Sequence, residues 1–264
     1  MMKTCLSFVL ILLMISSVAR AHRLEPIGTE LPSVIEKGRL VTELGFDFLG
    51  FNDRQNSTTA IPIGIEFSFI ENLQVELEVP YRDGPGLASG GLGDTEIGLR
   101  YQWLDESEAP LTLSTGVAGL IPTGSETRGL GKGVGEVEVM ANLGRWFLDR
   151  FHLMGNVGYG IATRDAAGKR EQEIIIRQAL VTRLYEDIVY ATEEVQYQPE
   201  FVTGGTANGI ERHDSLLISP GFILAIRHGV EFKTSFPIGL THHDPDFSWR
   251  SQLSISFGEP GLGS

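Results

Sequence analysis

Two runs within residues 72–104 decide the fold. Leu73-Gln-Val-Glu-Leu-Glu-Val-Pro-Tyr-Arg82 puts Leu73, Val75, Leu77, Val79 and Tyr81 on one face of an extended chain, and Gln74, Glu76, Glu78 and Arg82 on the other. Successive side chains of a strand point to opposite sides, so this is a strand with one apolar face. After a turn rich in glycine (Gly84, Gly86, Gly90, Gly91), Asp94-Thr-Glu-Ile-Gly-Leu-Arg-Tyr-Gln-Trp103 repeats the pattern. Here Thr95, Ile97, Leu99, Tyr101 and Trp103 oppose Asp94, Glu96, Arg100 and Gln102. The pair reads as an antiparallel hairpin. A soluble sandwich would turn its apolar face to a core, whereas an outer-membrane barrel turns that face to lipid and the carboxylates into a lumen.

The start of the chain indicates the compartment. Lys3 is a basic leader, residues 6–15 are apolar except Ser7, and Ala19-Arg20-Ala21 is a small-x-small cleavage site. Residues 1–21 therefore read as a cleaved signal peptide, too short for a spanning helix. The only cysteine, Cys5, falls within it, so the mature chain is expected to fold without disulfides or thiolate metal sites. Net charge is −13, and losing Lys3 and Arg20 takes it to −15, which argues against nucleic acid as a partner. Hydrophobic residues make up 42% of the chain, yet mean hydropathy is only +0.02, as expected where polar and apolar residues alternate.

Residues 22–37 show no alternation, and Pro26, Gly28 and Pro32 make them an irregular lead-in, either a short arm or a plug. Strands are expected at 39–51, 60–70, 73–82, 92–104, 111–121, 135–147, 151–162, 171–185, 188–198, 215–226, 230–237 and 247–257, forming one all-β unit over 38–258 with a short tail at 259–264. Short links (71–72, 105–109, 148–150, 186–187, 227–229) alternate with long ones (52–59, 83–91, 123–134, 163–170, 199–214, 239–246). That rhythm and an even strand count predict an up-and-down antiparallel transmembrane β-barrel of about 12 strands, with short periplasmic turns and longer outer loops. A Greek-key sandwich would mix hairpins with crossovers.

Charge follows the same division. Arg54, Arg82, Arg128, Lys132, Arg164, Lys169, Arg170 and Arg212 lie in or beside long links, and Glu71, Asp105, Glu106, Glu108, Asp149, Glu186 and Asp187 in short ones. Basic outer loops suit the phosphates of lipopolysaccharide. Trp103, Phe147, Phe151, Tyr185 and Tyr190 near the turns, with Phe51, Tyr81, Tyr159, Tyr197 and Trp249 near the loops, read as two aromatic girdles.

Gly93-Asp-Thr-Glu-Ile-Gly-Leu-Arg-Tyr101, Gly119-Leu-Ile-Pro-Thr-Gly124, and the glycines from Gly131 to Gly135 leading into Glu136-Val-Glu-Val-Met-Ala-Asn-Leu143 resemble the outer-membrane transporter-like barrels of the MetA-pathway of phenol degradation family. The resemblance implies location in the bacterial outer membrane and passage of small solutes, aromatic or hydrophobic ones among them. It brings no catalytic residues. Such barrels usually end on an aromatic residue read by the barrel-assembly machinery, whereas here Phe257 is followed by seven more residues.

Three motifs invite other chemistry. His213-Asp-Ser215 has the residue types of a hydrolase on a barrel scaffold, but a nucleophile also needs a base oriented by a third group. His242-His243-Asp244-Pro-Asp246 offers imidazole and carboxylate ligands without the spacing of a zinc signature. The run Gly129-Leu-Gly-Lys-Gly-Val-Gly135 lacks the Gly-Lys-Ser/Thr ending of a phosphate loop. The expectation is therefore a monomer that is not an enzyme, with no catalytic residue, metal or cofactor. The polar faces supply the candidate lumen lining: Glu43, Asp47, Glu66, Glu76, Glu78, Asp94, Glu96, Arg100, Glu136, Glu138, Arg177, Arg183, Glu194 and Arg250. A side-chain-filled barrel without a pore is the rival, because eight-stranded barrels are filled and only 16- to 18-stranded ones hold wide channels. A secreted soluble β-protein is the other.

Overall fold

The alternation is resolved by closure of the sheet on itself. The computed structural model describes residues 24–50, 57–85, 87–165, 168–204, 210–227, 229–242 and 244–258. The expected signal peptide, Phe51 and Arg54, the tip of the 199–214 link, His243 and the tail at 259–264 lie outside the described residues. The barrel strands are β1 (Leu40–Gly50), β2 (Thr58–Ile70), β3 (Leu73–Asp83), β4 (Thr95–Leu104), β5 (Thr112–Ile121), β6 (Glu136–Phe147), β7 (Phe151–Ala162), β8 (Lys169–Tyr185), β9 (Val189–Gly204), β10 (Ile210–Arg227), β11 (Val230–Ser235) and β12 (Phe247–Phe257). Each pairs antiparallel with the next, and β12 pairs with β1 from Leu40↔Phe257 to Gly50↔Phe247. The ring of twelve therefore has no free edge. Two short pieces, Gly91–Leu92 on β3 and Ile238–Gly239 on β10, prolong β4 and β11 beyond a break.

Expected and observed strands differ most at β9 and β10. Pro199 suggested the start of a loop, because proline cannot donate to a ladder. Instead Pro199 pairs with Asp214, and the hairpin continues to Thr203↔Ile210. The ladder from β9 to β8 skips Gln198 and Pro199 and resumes in register at Glu200↔Glu173. Crossing the hydrocarbon takes about 9–11 tilted residues, so much of this hairpin stands clear of it.

Outward positions carry the apolar residues. Leu77 is 41% and Leu99 46% exposed, and Ile63, Ile65, Val137, Val139 and Val157 are exposed with them. Inward positions are buried and polar: Gln74, Ser114, Asn142 and Asn156 have no exposed surface. Trp103, Phe147, Tyr185, Tyr81, Tyr159 and Trp249 face outward near the strand ends. Tyr190 corrects the girdle expectation. It shares the parity of Glu194 on β9, faces inward, and is 1% exposed. There it joins Met154, Ala179, Val181, Ile223 and Ala225 in an apolar collar inside the short-turn end, with Leu24 and Leu31 packed into it.

Arginine at Leu77 would place a charge in the hydrocarbon layer and should cost about 2–4 kcal/mol of barrel stability in urea unfolding from lipid. Glu78→Arg, one residue on but facing the lumen, should cost much less. A greater loss for Glu78→Arg would mean that the faces are reversed.

Candidate functional site

Residues 24–39 form no strand and fold into the lumen from the short-turn end. Buried backbone groups need partners, and an irregular segment cannot supply its own. The wall supplies them from inward-facing side chains. The Gly28 N–H donates to Glu194 Oε2 at 2.9 Å, and Gln196 Nε2 donates to the Gly28 carbonyl. Asn156 holds Glu30 at both ends, accepting from its N–H at 2.9 Å and donating to its carbonyl at 3.0 Å. The Val34 and Ile35 N–H groups donate to Gln102 Oε1 and Gln74 Oε1 at 3.0 and 2.8 Å. Gly28 marks the tightest approach, for a Cβ there would lie 2.6 Å from Gln196 Nε2 and 2.9 Å from Glu194 Oε2.

The charged fastening is Arg100. Its side chain is buried and reaches Glu76 at 2.8 Å, Glu30 at 2.9 Å and Glu25 at 3.8 Å, and donates to the Leu31 carbonyl at 2.7 Å. Three of these four contacts are to the N-terminal segment. Arg177 approaches Glu30 from β8 at 3.9 Å. On the other side Lys233 lies 3.5 Å from Glu43, which also accepts a hydrogen bond from Ser254.

On the loop side of the segment lies a cavity of about 340 Å³. Eight carboxylates (Glu25, Glu30, Glu43, Asp47, Glu66, Glu76, Glu78, Glu96) and four cations (Arg100, Arg177, Lys233, Arg250) line it. The wall carboxylates all come from the contiguous strands β1 to β4, while three of the cations come from β8, β11 and β12. Glu25, Glu43 and Glu66 bring carboxylate oxygens within 4.8 Å of one another, the spacing of a possible cation site. Arg100, Lys233 and the Gln74 amide already lie against these three groups.

The family model for the MetA-pathway of phenol degradation matches residues 70–257, from the end of β2 to the end of β12. The chain belongs to this family. No curated protein matches it. Among solved structures, the COG4313 outer membrane channel from Pseudomonas putida F1 superposes with a TM-score of 0.68 at 9% identity, over 85% of this chain and 97% of that one. The NanC porin gives 0.55 at 8% identity over 83% and 100%. The beta domain of the Bordetella autotransporter BrkA gives 0.51 at 12% identity over 84% and 100%. At these identities what is shared is the fold, a closed outer-membrane β-barrel.

In this member of the family, the residues singled out from sequence divide by height in the barrel. Glu43, Asp47, Glu66, Glu76, Glu78, Glu96, Arg100, Arg177 and Arg250 meet at the cavity. Glu138 lines a small recess beside it. Glu194 is buried against Gly28. Arg183 pairs with Asp187 at 3.1 Å near the short turns and lies over the Trp146 ring. Glu136 pairs with Lys132 at 2.8 Å towards the loops. Asp94 is an anchor for a loop, since its carboxylate accepts from the Gly124 and Lys132 N–H groups and holds residues 124–132 against β4. Sequence reasoning passed over Glu25, Gly28 and Glu30, together with Asn142, Asn156 and Gln196. Inward parity would have picked out the last three; the first three sit in a stretch without period.

The hydrolase motif is used for structure. The Ser215 hydroxyl donates to Asp244, and His213 faces Glu200 across the β9–β10 ladder with Nδ1 4.0 Å from its carboxylate. Asp244 also accepts from the Leu216 N–H and from the Thr241 N–H and hydroxyl, clamping residues 240–246 to β10. Burial pushes the Asp244 carboxyl up, but these hydrogen bonds together outweigh it and hold the group below its ordinary range.

Two outcomes are expected. Replacing Arg100 by methionine removes one partner from a buried charge cluster, a loss that typically costs about 3–5 kcal/mol. It should release residues 24–39 to added protease while the barrel keeps its heat-modifiable mobility. The depressed Asp244 carboxyl contributes stability that is complete above the unfolded-state value and lost as pH falls through the lower folded value. Protection of residues 240–246 from hydrogen exchange should therefore fall only in acid below the usual carboxylate range, and Asp244→Asn should abolish that dependence.

Proposed function

We propose that this barrel passes small solutes across the outer membrane, with its short turns towards the periplasm and the N-terminal segment as the narrowest part of the route. One observation carries the reading: Glu78 and Glu96 face inward yet are exposed to water, so the lumen is open at their height and narrows only at the segment below. The apolar collar of Met154, Val181, Tyr190 and Ile223 follows on the turn side. Together with the phenol degradation named in the family's description, it supports small aromatic or hydrophobic solutes as cargo. In this reading basic residues around the long loops face lipopolysaccharide, the barrel-assembly machinery inserts the chain, and it works as a monomer. A hydrolase is not favoured, because the Ser215 proton is directed to a carboxylate clamp.

Reconstitution into planar bilayers tests the proposal. With twice as many carboxylates as cations around the cavity, cations should permeate better than anions. The preference should weaken with salt, as the Debye length shrinks from about 10 Å at 0.1 M to about 3 Å at 1 M. Deleting residues 24–37 should raise conductance. Absence of current from both the intact and the shortened chain would favour a filled barrel, and a clear anion preference would mean that the arginines control the constriction.

A further inference from the structure

The carboxylates around the cavity are not equally satisfied. Glu25, Glu30, Glu43, Glu66 and Glu76 each have a cation or hydrogen-bond donor within reach. Asp47 stands opposite Arg250 across the β1–β12 ladder. Glu78 and Glu96 are different. They stand directly opposite each other across the β3–β4 ladder, both face the cavity, and among the described residues neither makes a hydrogen bond or ion pair. Directly opposed residues hold their Cβ atoms about 4.5–5.5 Å apart, and like charges in that relation repel. A second, separate feature lies in the floor. Thr29 is 1% exposed and lines the same cavity, and its hydroxyl oxygen has no hydrogen-bond partner.

We infer that this cavity binds a small organic ammonium ion, its head group bridging Glu78 and Glu96 with the Thr29 hydroxyl as a further acceptor. The inference deepens the channel reading and rests on it for the route by which the ion arrives. A primary ammonium fits the chemistry: it is a compact positive charge with three donors, enough for two carboxylates and one hydroxyl. Arg177 and Arg250, from β8 and β12, repel the head group from the opposite side and turn it towards β3 and β4. A volume of about 340 Å³ is at the small end of ligand sites, which restricts the rest of the molecule to a few carbons.

Calorimetric titration of the purified full-length barrel, folded in neutral detergent, reads binding without requiring conductance. Ethylammonium should bind, while ethanol, its neutral counterpart, and acetate should not. The double substitution E78Q/E96Q should weaken ethylammonium by about tenfold or more, the change that follows loss of a charge-assisted hydrogen bond. Thr29→Val should weaken it to a smaller degree, and supplies the test if the double variant does not fold. Glu186→Gln, in a short turn, should have no effect. Equal binding of ethanol, or ethylammonium binding undiminished in E78Q/E96Q and Thr29→Val, would overturn the site. Binding without conductance would count against the channel and leave the site standing; conductance without binding would do the reverse.

Discussion

A backbone N–H or carbonyl facing hydrocarbon has no water to turn to, so a chain that crosses a bilayer in strands must pair every one of them. The rest of this structure follows from that condition. Twelve strands meet it only by joining β12 to β1, and closure creates an inside that the alternation of side chains then fills with polar groups. Those groups in turn make possible something a soluble protein would seldom tolerate, an irregular segment buried in the centre of the fold. Residues 28–35 have no ladder of their own, and side chains from β3, β4, β7 and β9 complete their hydrogen bonds. The lumen acts as solvent for the segment.

The two kinds of fastening differ in character. Asparagine and glutamine can donate and accept at once, so Asn156 and Gln74 fix the path of the segment with little dependence on pH or salt. Arg100 acts through charge, and a buried charge surrounded by three carboxylates is a poor source of net stability, because removal from water offsets most of the attraction. Its effect is specificity. Any other placement of Glu25 and Glu30 would leave a buried guanidinium short of partners, so the cluster selects one docked position even where it adds little to the total.

Most of the fold was legible in the sequence because its rule is local. Alternation over ten residues, as in Leu73 to Arg82, is decided by the pleat, and the apolar face belongs to lipid whatever lies elsewhere in the chain. The failures have long-range causes. Pro199 ends a strand by local rules, but its partner Asp214 and the continuation to Ile210 hold the hairpin together past it. Tyr190 carries a girdle residue's identity on an inward parity, and only the register of β9 shows which face it takes. Asp94 has the right parity for the lumen, yet its carboxylate is taken by a loop some thirty residues later. The docked segment was the hardest to foresee. Gly28 meets Glu194 across 166 positions and Glu30 meets Asn156 across 126, separations at which no pattern within a window carries information.

Placement along the axis gives these parts an order. A solute entering from the loops first meets a water-filled lumen bounded by β1 to β4, where the carboxylates outnumber local cations, and only then the crest of the segment at Gly28 to Glu30. Attraction acts before constriction. The apolar collar lies beyond, below the fastening at Arg100, so a molecule with a charged head and a short apolar body would find complementary surroundings in sequence as it advanced. Charge at the collar would face burial without compensation, which is why the polar and apolar zones cannot be exchanged along the axis without closing the route to such a solute. The segment occupies the boundary between the two zones, with Glu30 held in the polar one and Leu24 and Leu31 packed in the other. Its own sequence therefore matches the gradient of the lumen, and the same gradient that would guide a solute also sets the depth to which the segment inserts.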